Sequence, residues 1–254
     1  GGEDYVEIYN KSEKEISLYS LFLASRNSDG ELTQISRVAD DNIPLPHESY
    51  VALTPDTTAV FPFFSIRCHE CIQQMEKFPS FNNDEDVVVL LNDEKAIIDE
   101  FRYNEKMHNP FLTDVEGISL ERLSFTSGTG QTNNWHSAST EVNYGTPGYR
   151  NSQFSAGKVS RPQITFEPQA FSPNLDGYND KYQIHYTLNK PGCLANICIF
   201  DVAGRAVMQL AQNKILKVSG TIAWDGEDET GQRQPPGTYI VAVEIFHADG
   251  EIHR

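Results

Sequence analysis

Apolar and polar residues alternate along much of the first half of the chain, in short runs that turn residues separate. In the segment DYVEIYN, Val6 and Ile8 alternate with Tyr5, Glu7 and Tyr9. Because successive side chains of a strand point to opposite faces, this period of two predicts a strand. The same pattern predicts further strands over residues 16–24, 31–38, 49–53, 86–91, 96–103 and 117–123. Many short strands with regularly spaced turn residues are typical of an all-β fold.

One region of the first half departs from this alternation. Residues 54–61 and 71–78, the second of which reads CIQQMEKF, carry their apolar side chains at a weak helical spacing. We predict short helices or turns there, and little helix in the rest of the chain.

The second half contains four motifs in a fixed order: FSPNLDGYND at residues 171–180, the run IFDVAGRAV, a WDG turn that begins at Trp224, and PPGTYIVAVEI. Their Pro, Asn, Asp and Gly residues are turn formers, and alternating segments lie between them. Over residues 164–254 the motifs resemble the immunoglobulin-like domain of the flagellar-hook-capping and gliding-motility C-terminal families of bacteria. The resemblance implies a small β-sandwich that serves as a spacer, an adaptor or an export-associated element.

The first half is similar to a different family, the lamin-tail domain. The resemblance rests on DYVEIYN and the strand after it, on ISLERL, on Trp135 in NNWHSAS and on the closing GTPGYRN at residues 145–151. It implies an immunoglobulin-like sandwich that acts as an interaction domain. Members of that family begin with a further strand before the DYVE-type segment, so we expect the N-terminal strand to be missing here.

The predicted fold class is therefore all-β, with two tandem immunoglobulin-like β-sandwiches at residues 1–151 and 163–254. Residues 152–162 lack periodicity and are rich in Ser, Gly, Gln and Lys, which predicts a solvated linker. After the hairpin turn at Asp249-Gly250 only residues 251–254 remain, so we expect an incomplete last strand. An open sheet edge at that place would accept strand addition from a partner.

The net charge of the chain limits the classes of molecule that it is expected to bind. The chain has a net charge of −16; residues 1–150 carry 25 acidic and 11 basic side chains, whereas residues 151–254 carry 11 and 9. Binding to phosphates requires clustered Lys and Arg, and no such cluster is present, so we expect neither nucleic acid nor an anionic membrane as partner. No apolar run is long enough for a transmembrane segment.

The FSPNLDGYND loop is the candidate metal site. Asn174, Asp176 and Asp180 place oxygen side chains around an Asp-Gly turn, and oxygen ligands on a tight loop are what Ca²⁺ requires. The alternative is a network of Asx turns in which the same oxygens accept backbone N–H groups. An EF-hand is excluded, because its twelfth position would be His185 instead of Glu. We expect no other cofactor.

Two pairs of cysteines are present. Cys68 and Cys71 form a C-x-x-C segment without the βαβ context of a redox motif and without a second ligand pair for zinc. Two interpretations of Cys68 and Cys71 remain: they form a local disulfide, or both are free thiols. Cys193 and Cys198 lie five positions apart in a predicted strand, which puts them on opposite faces and beyond the reach of a disulfide.

We find no catalytic motif in the sequence. There is no G-x-S-x-G elbow, no H-E-x-x-H, no P-loop and no dinucleotide fingerprint. His108 and His136 lie in polar segments without a clear nucleophile. Trp135 has two interpretations: it packs against the sandwich, as the lamin-tail resemblance implies, or it forms a platform for a sugar ligand.

These observations predict a non-catalytic, exported bacterial protein, located at the cell surface, in the medium or in the periplasm, that acts as an adhesion, interaction or spacer module. By resemblance its source is a Bacteroidetes-type bacterium, and its partner is a protein or a surface glycan. Two alternatives stay open: an accessory region of a larger secreted hydrolase whose catalytic domain lies outside these residues, and a carbohydrate-binding module.

Overall fold

The computed structural model describes residues 4–155 and 161–253. Strands account for nearly all of its regular structure, which confirms the all-β prediction. The chain divides into two compact units, Gly1–Ala138 with Val142–Phe154, and Ser139–Glu141 with Ser155–Arg254. Part of the predicted linker, residues 156–160, lies outside the described residues.

The first unit contains eleven strands among its described residues: β1 (Val6–Tyr9), β2 (Ile16–Ser17), β3 (Phe22–Arg26), β4 (Leu32–Arg37), β5 (Pro44–Leu45), β6 (Tyr50–Thr54), β7 (Ile72–Gln74), β8 (Glu85–Leu91), β9 (Ile97–Asn104), β10 (Leu120–Arg122) and β11 (Trp135–Ser137). One α-helical turn, α1 (Thr57–Val60), begins after Asp56, whose side chain accepts the N–H of Thr58. Single 3₁₀ turns lie at Leu18–Ser20, His69–Cys71, Glu105–Met107 and Thr132–Asn134, and a further one, at Thr140–Val142, spans the boundary between the units.

Two sheets form the sandwich of the first unit. One has the strand order β1-β6-β7 and the other β4-β3-β8-β9, so β1 and β9 are edge strands. Their shared core consists of buried Leu, Val, Ala and Met side chains: Leu18, Leu21, Leu23, Val38, Ala39, Leu45, Val51, Leu53 and Met75. Val6 and Ile8 of β1 pack against this core but are only partly buried.

Two predictions for the first unit need correction. The predicted strand at 16–24 is interrupted at Leu18–Ser20, because the chain leaves the β2–β5 pair there and enters the sheet of β3. The predicted helix or turn at 71–78 is wrong at Ile72–Gln74, which forms β7 and pairs in parallel with β6. In so short a segment, the hydrogen bonds to a neighbouring strand decide the backbone conformation, and the weak helical spacing of the apolar residues does not.

The first unit also extends beyond its predicted end. Gln153, which we placed in a solvated linker, is fully buried. Its backbone N–H donates to the Glu121 carboxylate at 2.9 Å, and the ring of Phe154 packs against Phe125 with 4.7 Å between the centroids. Residues 152–154 are therefore part of the folded unit.

The second unit has seven strands among its described residues: β12 (Gln163–Glu167), β13 (Tyr182–Thr187), β14 (Leu194–Asp201), β15 (Ala206–Ile215), β16 (Ser219–Trp224), β17 (Tyr239–Phe246) and β18 (Ile252–His253). They form the sheets β12-β13-β16 and β15-β14-β17-β18, all antiparallel. The inner faces meet in a core that includes Ile184, Ile197 and Ile245, each 1% exposed. This is the immunoglobulin-like sandwich that the sequence predicted.

Trp224 closes one end of this second core. It is 3% exposed, its indole N–H donates to the carbonyl of Glu227 at 2.7 Å, and its ring packs edge-on against Tyr239. A buried tryptophan with a satisfied N–H contributes apolar area without an unpaired polar group. The WDG motif is thus a core anchor and not a ligand platform.

Each helical turn in the described residues is at most four residues long, and none of them could cross a bilayer.

We expect Ile197→Ala to destabilise the second unit by about 2–5 kcal/mol, because it leaves a cavity in a close-packed core. Urea unfolding followed by Trp224 fluorescence measures the change. Val202→Ala is the matched control: Val202 is 74% exposed, and its substitution should leave the unfolding midpoint almost unchanged. Equal effects of the two substitutions would contradict the assigned core.

Candidate functional site

A groove in the first unit is a candidate site. It has a volume of about 1040 Å³, and its lining includes Tyr5, residues Val6 to Tyr9 of β1 and residues Ile98 to Phe101 of β9. Leu23 and Leu90 of the sandwich interior line it too. The groove therefore opens the sandwich along the side where its two sheets end.

Among the described residues, strand β1 pairs with another strand, β6, on one side only, and its other edge lies beside this groove. The N–H of Asn10 donates to the carbonyl of Ser49 at 3.0 Å, next to the β1–β6 ladder. Since the hydrogen-bonding direction alternates along an antiparallel strand, Ile8 also faces β6, whereas the backbone groups of Glu7 and Tyr9 face away from it. Edge groups of this kind are free to pair with another strand.

Two carboxylates give the groove its electrostatic character. The Glu7 carboxylate accepts the N–H of Gly148 at 2.8 Å, and burial, reinforced by the charge of Glu121, raises the pKa of Glu7 well above its usual value. Burial also raises the pKa of Glu121, which is 2% exposed, against the opposing effect of its hydrogen bonds. No Lys or Arg among the described residues offsets either carboxylate.

Glu121 holds the end of the first unit in place. Its carboxylate accepts the hydroxyls of Thr146 and Ser152, both at 2.7 Å, and the N–H of Gln153.

Tyr5 lies beside Glu7, and burial together with the Glu7 charge raises the pKa of the Tyr5 hydroxyl well above 10.0. At neutral pH the phenol is protonated and the groove carries no tyrosinate.

The outer part of the groove contains polar side chains and Trp135. Asp99 accepts the hydroxyl of Thr129 at 2.7 Å and lies 3.7 Å from Arg122. The indole N–H of Trp135 donates to the Thr129 carbonyl at 2.8 Å, and one face of the ring stacks on Phe101 with 3.7 Å between centroids. Trp135 is half-buried and lines the groove, so packing against the sandwich does not remove it from the candidate surface.

His108 and Ser137 form the pair closest to a catalytic arrangement. His108 Nδ1 lies 3.0 Å from Ser137 Oγ, and burial, with a contribution from His136, lowers the His108 pKa to about 4. Ser137 is fully buried, however, and its Oγ already accepts the N–H of Asn109 at 2.9 Å. A nucleophile must be reached by substrate, so this pair is structural.

In the second unit, the predicted metal ligands are engaged with their own loop. Asp180 accepts the N–H groups of Leu175 at 2.6 Å and Gly177 at 2.8 Å. Asp176 accepts the N–H of Tyr178 at 2.8 Å and the amide of Asn174 at 2.9 Å. These are the bonds of the Asx-turn alternative, and they account for the lowered pKa of Asp176.

The WDG turn lies close to this loop, since a Cβ placed on Gly226 would come within 3.2 Å of Pro173. Its Asp228 accepts the N–H groups of Thr230 and Gln232. Among the described residues, no group of three or more His, Cys, Asp or Glu side chains is placed to hold a metal ion. Ca²⁺ binding by Asn174, Asp176 and Asp180 stays a prediction.

The four cysteines have two different environments. Cys68 and Cys71 are joined by a disulfide with a Cα–Cα distance of 5.2 Å. The bridge lies against Gly148, where a Cβ would come within 2.7 Å of the Cys71 Cβ and where φ is +79°. Cys193 is buried and Cys198 half-buried, and both are free.

Comparison with protein families gives one match, which lies in the second unit. Residues 165–253 match the family described as CHU_C Type IX secretion signal domain. The domain is a non-catalytic export module of Bacteroidetes-type bacteria, so the predicted export is confirmed and the protein is secreted to the cell surface. The match lies within the second unit and assigns no activity to the first.

Among solved structures, dimeric latent PorU from Porphyromonas gingivalis aligns with 98% of this chain and 17% of its own length, at 10% identity and a TM-score of 0.29. The chain thus spans a small part of that protein. A score of this size establishes no shared fold. A search of curated protein sequences found no match.

Sequence reasoning missed the groove carboxylates. Glu7 alternates with Val6 and Ile8 and therefore looks like the solvent face of a half-buried strand, while Glu121 lies between the apolar residues of ISLERL. Two features of the sequence could have indicated these carboxylates. Glu7 lies between two tyrosines in DYVEIYN, and Glu121 lies within a short, largely apolar predicted strand. Only the fold brings the two side chains close enough to influence each other.

We expect Asp180→Ala to destabilise the second unit by about 1–3 kcal/mol, because two loop N–H groups lose their acceptor. Asp180→Asn keeps one acceptor and should cost less. Thermal unfolding with added Ca²⁺ or with EDTA separates the two interpretations: a melting temperature that Ca²⁺ raises and EDTA lowers establishes the metal site. If Asp180→Ala has no effect with or without Ca²⁺, both interpretations are wrong.

We expect Glu7→Gln to stabilise the first unit by about 1 kcal/mol at pH 8. The raised pKa of Glu7 means that its stabilising protonated form is present below pH 4.5 and is lost as pH rises through the folded-state pKa. The variant should therefore lose less stability than the wild type between about pH 5 and pH 8. Glu13→Gln, at an exposed position, is the charge-matched control and should follow the wild type.

Proposed function

We propose that this protein is a non-catalytic surface protein in which the first unit binds a partner and the second unit directs export. The groove beside β1 is the observation that carries the proposal, since it combines apolar walls with the half-buried Glu7 carboxylate and the buried Glu121 carboxylate. Large concave sites with a few polar groups are where ligands bind. An adhesion or interaction role fits a module displayed on the cell surface.

The resemblance to lamin-tail domains supports this assignment for residues 1–151. The resemblance to the hook-capping and gliding-motility families supports an adaptor role for the second unit beside its secretion signal. The environment of His108 and Ser137 supports a non-catalytic first unit, since the serine is inaccessible and its hydroxyl oxygen is occupied.

A carbohydrate-binding role is the second candidate. It rests on Trp135, which lines the groove and has one ring face covered by Phe101. Stacking on a sugar would use the other face. Glycan-array binding that disappears with Trp135→Ala would favour this candidate over a protein partner.

The edge of the second unit supports a further, weaker contact. Among the described residues, the backbone pairing of β18 covers β17 at Ile245 and Phe246, and no strand pairs with the segment from Tyr239 to Val243 on that side. Strand addition there, as the sequence predicted, remains part of the proposal.

The alternative of a hydrolase accessory region concerns residues outside this sequence. A catalytic motif upstream in the full gene product would support it, whereas a signal peptide followed directly by this region would support the adhesion role.

We expect the full chain to give no turnover in a broad screen of esterase, peptidase and glycosidase substrates. The physical reason is that no accessible nucleophile with a base appears among the described residues. The variants His108→Ala and His136→Ala are measured in the same screen, to test whether any turnover depends on either histidine. Turnover by the wild type that either substitution abolishes would overturn the non-catalytic assignment.

A further inference from the structure

Three large apolar side chains of the second unit are almost completely exposed. The exposed fraction is 83% at Leu175, 75% at Tyr178 and 74% at Val202, and these are the three highest values for such side chains among the described residues. A single apolar residue on a surface is ordinary, whereas several in one place mark an interaction site. What these side chains can do therefore depends on whether the fold groups them.

Leu175 and Tyr178 lie at the end of the sandwich that Trp224 closes. Both belong to the FSPNLDGYND loop, whose Phe171 ring packs edge-on against Trp224 with 5.5 Å between the centroids. The loop is therefore fixed to the core anchor of the unit, and its two apolar side chains project from that end.

Val202 lies at the same end. It follows directly on β14, whose last residue, Asp201, pairs with Tyr239. The ring of Tyr239 packs against Trp224 with 5.0 Å between the centroids. The turn after β14 and the FSPNLDGYND loop thus present their apolar side chains at one end of the sandwich, which we call the Trp224 end.

The backbone of Leu175 has a conformation that leucine rarely adopts. Its φ is +63°, in the left-handed region that favours glycine and asparagine. Because the side chain is exposed, it gains no burial that would offset this conformation. An unfavourable backbone conformation without a packing role indicates that the side chain serves a function outside the fold of the unit.

Hydrogen bonds hold the loop in one conformation around these side chains. Asp180 accepts the N–H groups of Leu175 and Gly177, and Asp176 accepts the N–H of Tyr178. A loop that is fixed before binding loses little conformational entropy when it binds, and this favours affinity. The carboxylates thus position two apolar side chains for a partner.

The family match and the charge of the unit indicate the partner. Residues 165–253 match a secretion signal domain, and a folded signal can be recognised only through groups on its surface. Residues 151–254 carry 11 acidic and 9 basic side chains, so their net charge of −2 gives little electrostatic attraction. Apolar contact remains, and an exposed tyrosine on a rigid support is a typical anchor for a partner's pocket.

We propose that the Trp224 end is the surface by which the export apparatus recognises this protein, with Leu175 and Tyr178 inserted into an apolar pocket of one of the proteins of that apparatus. Val202 adds apolar area at the same end. The inference rests on the proposed function, in that it specifies what the second unit binds during export.

The test measures secretion of the full chain, placed behind an inner-membrane export signal, in a bacterium that has a type IX apparatus. Immunoblots of medium, cell surface and cell interior give the exported fraction. We expect the double variant Leu175→Asn with Tyr178→Ser to lower this fraction at least fivefold. Leu175→Met keeps an apolar side chain at the same place and should keep at least half of the wild-type export.

Thermal unfolding of the purified chains separates recognition from folding. Asparagine adopts a positive φ more readily than leucine, so Leu175→Asn should leave the melting temperature unchanged or raise it. A loss of export at unchanged stability then reflects lost recognition. The control is Ile35→Thr, which removes an exposed apolar side chain from β4 of the first unit and should leave export unchanged.

Three results would overturn the inference: wild-type export of the double variant, an equal loss of export with Ile35→Thr, or a wild-type dimer in solution that Leu175→Asn dissociates, which would assign the Trp224 end to a second copy of the chain. The export role in the proposed function fails differently. A wild-type chain that is not exported at all overturns that role, and this inference with it.

Discussion

The pairing of backbone N–H and C=O groups is the constraint on which the rest of this structure depends. The strands are short, and several have only two or three residues, so each sheet ends in edges whose polar groups need a partner or water. In the second unit, β18 covers a small part of such an edge. In the first unit, residues of β1 and of the sandwich interior line the same groove.

Burial of Glu121 links the stability of the first unit to its candidate site. The carboxylate accepts two hydroxyls and one backbone N–H from the segment that ends the unit, which offsets the cost of removing the charge from water. Glu7 has a single such bond, to Gly148. Glu7 is therefore the less well compensated of the two carboxylates that line the groove.

The two units differ in the charge of their side chains. The second unit has nearly balanced charge and matches a secretion signal domain, which fits a module that the export machinery recognises. The first unit holds almost all of the excess acidity, together with the disulfide between Cys68 and Cys71. A local disulfide is compatible with an oxidising environment outside the cytoplasm, in agreement with a surface location.

The sequence by itself determined the fold class, the approximate place of most strands and the export of the protein. These depend on local signals: a period of two, turn residues at fixed spacing, and the FSPN, WDG and PPGTY motifs. Only the tertiary structure decided that Ile72–Gln74 is a parallel strand, that Gln153 is buried, and that Glu7 and Glu121 share one groove. The physical reason is that a carboxylate in an alternating strand looks solvated from sequence alone. Whether it faces water or a cavity depends on which strand lies beside it, and residues far apart along the chain supply that neighbour.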